Sequence, residues 1–131
     1  MQNMELVAIV VLLALLEYTV FGFRTGRARG QHGVPAPATT GHPEFERHLR
    51  VQENTVEQLV IFLPAIFLFA HYVSPGWAAL LGLVFVIGRA LYAHAYVTDP
   101  AKRGPGFLLT IAPNLILTLG ALIGAVRALL A

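Results

Sequence analysis

The chain has no cysteine, which excludes a disulfide, a thiolate metal site and a cysteine nucleophile. Any thiol chemistry here must bring its sulfur with the ligand. Charge is scarce as well: Asp, Glu, Lys and Arg make up 12% of the 131 residues, against roughly a quarter in a soluble domain. The net charge is only +2 and no basic tract or tail is present, which argues against a nucleic-acid partner. No histidine grouping has zinc-ligand spacing. His32, His42 and His48 surround a basic loop, while His71 and His94 are far apart and unaccompanied, so no metal is expected.

What the chain has instead is apolar surface, 56% of its residues. Four apolar segments, 4–23, 59–73, 77–97 and 107–130, mostly approach the roughly 20 residues that cross a 30 Å hydrocarbon core. The first lacks a basic start and a small-residue cleavage pattern, so it reads as a permanent span rather than a signal peptide. The second is short unless its helix begins near Pro43; a helix over 44–72 would be about 43 Å long and would project from the membrane over 44–58. Pro43 suits a first helical turn, and Glu44 and Glu46 suit its positive end. The stretch RTGRARGQHGVPAPATTGH reads as a long Gly/Pro-rich loop, VSPGW as a hairpin turn and TDPAKRGPG as a third, basic connection. Pro64 and Pro113 should kink their spans, not break them.

The expectation is one all-α domain over 1–131, a left-handed four-helix membrane bundle with spans at 4–23, 44–72, 77–97 and 107–130. Arg24, Arg27, Arg29, Arg47, Arg50, Lys102 and Arg103 cluster around the first and third loops, and the second has no Lys or Arg. By the positive-inside rule loops one and three are cytoplasmic, with both termini on the opposite side.

Arg47, Arg50, Asn54 and Glu57 are spaced three, four and three apart, which on a helix puts them in one line; Gln52 and Glu53 point elsewhere. Arg89, Tyr92 and Tyr96 repeat such a line on the third span. Ionisable groups cost about 2.5 to 3.5 kcal/mol each at mid-membrane and normally face a bundle interior or a wet cavity. Arg50, Glu57 and Arg89 could simply pair to fix packing while Arg47 snorkels to headgroups. But the arginines outnumber the carboxylates available to the two stripes, and the surplus points to an anionic ligand. Glu17, alone in the first span, reads either as a carboxylate bonded to a neighbouring helix or as a proton-coupled drug-binding group. Gly82 and Gly88 read as close-packing positions.

PEFERHLRVQENTVEQLVIFLPA followed by GLVFVIGRALYAHAYVTDPAKRGPGF resembles the MAPEG family, membrane-associated proteins in eicosanoid and glutathione metabolism. The likeness is to the branch with microsomal glutathione transferases, leukotriene C synthase and the 5-lipoxygenase-activating protein. It is carried by E-R-x-x-R-x-Q-x-N-x-x-E, then G-R-x-x-Y-x-x-x-Y and K-R-x-x-G-F. The resemblance implies a homotrimer in membrane lipid, with glutathione as co-substrate bound between subunits on the cytoplasmic side. Its glutathione-binding residues would be Arg50, Gln52, Asn54, Glu57, Arg89, Tyr92 and Tyr96, with Arg29 from the neighbouring subunit and Arg103 activating the thiolate. The partner substrate would be a lipophilic electrophile, or a lipid hydroperoxide if the enzyme also acts as a peroxidase. Gln58 stands where several animal members carry an aromatic residue, so one wall of that pocket is expected to differ. Two other readings stay open: a non-catalytic lipid-binding scaffold of the same fold, and a small proton-coupled exporter built on Glu17.

Overall fold

A computed structural model describes residues 2–131; Met1, where the single-domain expectation begins, lies outside them. The chain forms α1 (Gln2–Gln31), α2 (Pro43–Tyr72), α3 (Pro75–Thr98), a 3-10 turn (Pro100–Lys102) and α4 (Gly104–Leu130). All four helices are long and apolar enough to cross a membrane, and the protein is an integral multi-pass membrane protein. Local chemistry sets the starts. At α2 the His42 Nδ1 accepts the Glu44 amide at 3.1 Å and Pro43 takes the first turn. At α3 the Ser74 Oγ accepts the Trp77 amide at 3.2 Å, again with proline next. Pro64 and Pro113 lie within continuous helices, as expected of a bundle whose neighbours cover the freed carbonyls.

One boundary departs from expectation. The Gly/Pro-rich loop was expected from Arg24, but α1 continues past Phe23 to Gln31. Isolated Gly26 and Gly30 are tolerated because tertiary packing covers their intrinsic cost of about 1 kcal/mol each. Ala28 packs with Val34 and Phe45, and the Thr25 hydroxyl donates to the His48 carbonyl at 3.1 Å, fastening the end of α1 to the start of α2. Arg24, Arg27 and Arg29 are therefore helical residues held at fixed azimuths, not loop residues.

The apolar core runs along the bundle axis through Val7, Val10, Phe62, Ile66, Phe85 and Leu117, with the Phe62 and Phe85 rings stacked at 4.0 Å. Large apolar side chains such as Leu16, Val60, Leu108 and Ile123 face outward, as a hydrocarbon solvent permits. Helices approach closely where the partner residue is small: a Cβ on Gly88 would fall 2.8 Å from the Leu109 backbone. In this setting association relies on packing and interhelical hydrogen bonds rather than on the hydrophobic effect.

Gln58 is held inside the bundle. It is buried and turned toward α4, where the Asn114 amide donates to its side-chain oxygen at 3.1 Å and its carbonyl at 3.2 Å. Within the protomer it clasps α2 to α4. Asn114→Ala removes both bonds and strands the Gln58 oxygen, so it should lower stability by about 1 kcal/mol. A thermal melt in detergent checks this; an unchanged midpoint would show that the clasp is redundant.

Candidate functional site

The first half of α2 and Tyr96 near the end of α3 line a cleft of about 480 Å³, with Arg47, Arg50, Glu46 and Glu53 as its charged groups and Thr39, Pro43 and Leu49 completing its wall. Arg47 closes one side by donating to the Val97 carbonyl at 3.2 Å, where the last carbonyls of α3 favour a cation. Arg50 is half-exposed in the cleft and pairs with Glu53 at 3.7 Å. Glu53 was expected to point away from the arginines; three residues on from Arg50, it reaches the same cleft.

The expected line on α2 is split by the third helix and the first. Arg50 and Glu57 are exposed, whereas Asn54 is buried with its Oδ1 unpartnered. Gln52 lies against α1, its Nε2 within 3.7 Å of where a Gly22 side chain would begin. The α3 line holds together but runs from the interior outward. Arg89 has no exposed surface; it donates to Thr55 Oγ1 at 2.7 Å and Thr110 Oγ1 at 3.3 Å. Its guanidinium sits 4.3 Å from the Tyr92 ring centre, and Tyr92 stacks on Tyr96 at 5.6 Å. Arg89 thus reaches the cleft through two tyrosines, and the threonines anchoring it carried no sequence signal beyond their polarity.

Arg103 is exposed on the α3–α4 connection, its Nη1 donating to the Pro100 carbonyl at 2.8 Å. It belongs to the same end of the bundle as Tyr96, since it lies in the short connection that follows the end of α3. Arg29 is not brought to this cleft within the protomer. It folds onto its own loop, donating to the Ala38 carbonyl at 2.8 Å with its guanidinium 4.6 Å from the Phe45 ring. Further along this end, burial and then the nearby Arg24 charge hold the His48 imidazole below its ordinary range. Among the described residues the ion pairs are His32–Glu44 and Arg50–Glu53, so Arg103 is bound to no carboxylate, and it is not among the residues that line the cleft.

The fold is a polytopic membrane bundle with a polar cleft at one end, where two arginines, two glutamates and Tyr96 meet. The chain belongs to the MAPEG family, whose model matches residues 7–123. It is 49% identical over 116 residues to an uncharacterized protein of Synechocystis, covering 88% of this chain and 85% of the relative. It is 37% identical over 128 residues to microsomal glutathione S-transferase 2 of Homo sapiens, covering 98% and 87%. With leukotriene C4 synthase of Cavia porcellus it shares 39% identity over 101 residues, covering 77% and 67%.

Proposed function

We propose that the protein is a membrane glutathione transferase that works as a homotrimer, with its cleft on the cytoplasmic side. The observation that carries this is a cleft that brings Arg47 and Arg50 of α2 together with Tyr96 of α3, Tyr96 being stacked on the Arg89-backed Tyr92, in a chain closely related to proteins named for glutathione transfer. Glutathione carries two carboxylates and one ammonium. Arg50 and the neighbouring subunit's copy of Arg29 suit the carboxylates, and Glu57 suits the ammonium. Gln52, Asn54, Tyr92 and Tyr96 supply neutral hydrogen bonds, and Arg89 sets the tyrosines from behind. Arg29 is absent from the lining of the Arg50 cleft within one protomer, so on this reading the neighbouring subunit supplies it.

Arg103 is assigned to the sulfur. A guanidinium near a thiol favours the thiolate, which then forms the new bond to an electrophilic carbon while the leaving group departs with its electron pair. The electrophile is lipophilic and arrives from the bilayer; a lipid hydroperoxide attacked by the same thiolate would give peroxidase turnover. Titration calorimetry of the protein in nanodiscs with glutathione should show saturable binding, and a general electrophile should be conjugated. Absence of binding heat together with absence of conjugation would overturn the transferase reading and leave the lipid-binding scaffold.

A further inference from the structure

Glu17 plays no part in the function proposed above, yet a carboxylate within a span is costly to keep without a role. α1 and α3 run parallel: a Cβ on Gly82 would meet Val10 Cγ1 at 2.6 Å, and further along Phe21 shares a buried cluster with Tyr92 and Ala93. Glu17 follows Val10 by seven residues and Arg89 follows Gly82 by seven. Seven residues make close to two full turns, so both side chains keep the azimuth of the Val10–Gly82 contact, about 10 Å further toward the cleft. Register alone therefore turns Glu17 toward Arg89.

Both residues also have buried atoms without partners. Glu17 Oε1 and Arg89 Nε are buried and accept or donate no hydrogen bond. Arg89 stays cationic at any ordinary pH, and the two groups it bonds, Thr55 and Thr110, are neutral hydroxyls. Apart from Glu17, the only acidic residue of α1 is Glu5, more than three turns away.

We propose that Glu17 is a positioning residue: it faces Arg89 across the α1–α3 seam, supplies the counter-charge this buried guanidinium lacks, and so holds Tyr92 and Tyr96 in place at the cleft. The facing of the two groups rests on helix register and on their unpartnered atoms, which are not in ion-pair contact; its effect on glutathione rests on the transferase reading. A charge that is buried and uncompensated is strongly unfavourable, whereas a neutral isostere keeps the shape. Removing only the charge of Glu17 should therefore let the guanidinium drift toward the wetter cleft and disturb the ring stacked on it.

The test uses the full chain in nanodiscs as wild type, E17Q, E17D, R89M and the double variant E17Q/R89M. In thermal melts E17Q should lower the midpoint in the wild-type background but not in R89M; equal losses in both backgrounds would overturn the pairing. The near-ultraviolet circular dichroism of the tyrosines should change in E17Q and return in E17D, and an unchanged spectrum would overturn the positioning role. In turnover, E17Q should raise KM for glutathione about threefold to tenfold with kcat within about twofold of wild type. A KM left unchanged would reduce Glu17 to a structural pair. Should wild type bind no glutathione, the transferase reading falls, while the melts and spectra still decide the role of Glu17.

Discussion

Arg103→Ala should lower kcat by about 10- to 100-fold at neutral pH, with glutathione affinity changed by less than about threefold. A free thiol near pKa 8.5 is mostly protonated at pH 7. A guanidinium about 4 Å from the sulfur at an effective dielectric near 20 supplies up to roughly 4 kcal/mol, an upper bound before desolvation, so a lowering of one or two pKa units is well within reach. The position suits the task. Arg103 is exposed, fastened to the Pro100 carbonyl by one nitrogen, and its turn is held by the Asp99 side chain accepting the Ala101 amide at 3.1 Å. The sign of the pH effect follows: a depressed thiol pKa matters below that of the free thiol, so the deficit of the variant should shrink as pH rises above about 8.5 and glutathione ionises unaided. A pH–rate profile with the thiolate absorbance of bound glutathione reads both. A raised KM with kcat untouched would make Arg103 a binding residue only.

Gly106→Val should have the largest effect on stability, a loss of about 3 kcal/mol or more. A Cβ at Gly106 would lie 2.6 Å from Tyr92 Cα and 2.9 Å from the Leu91 carbonyl carbon. Both are backbone atoms of α3, so no side chain can move aside and the helices must part. Gly88 makes the reciprocal close approach to Leu109 on the same seam. The seam carries the Arg89–Thr110 bond and the tilted contact of Phe107 with Tyr92, so parting it should abolish ligand binding along with the fold. Gly104→Ala, where nothing lies within 4 Å, is the matched control and should melt like wild type. Thermal unfolding in detergent compares them; a G106V midpoint within a degree or two of wild type would contradict the close crossing.

Much of the architecture is legible because the bilayer enforces simple rules. Apolar runs of membrane length announce α1, α3 and α4, and Pro43 with Glu44 and Glu46 announces that α2 begins well before its apolar half. The end of α1 is not legible, because glycine and arginine in GRARG read as loop, and only the docking of Ala28 on Phe45 keeps the helix going. Local propensity yields there to tertiary contact.

The cleft shows the same division at the level of side chains. Residue spacing alone determined that polar groups would line one face of α2 and one of α3 near the same membrane surface, since helical periodicity needs no partner to operate. Only the tertiary structure decided which of them meet. It turned Asn54 inward, Gln58 onto Asn114 and Arg89 onto two threonines, and it left Arg50 and Glu53 open together in the cleft. A helical pattern fixes the azimuth of each side chain, but which azimuth is interior depends on where neighbouring helices cross, and that is set by small residues such as Gly88 and Gly106 on other segments of the chain.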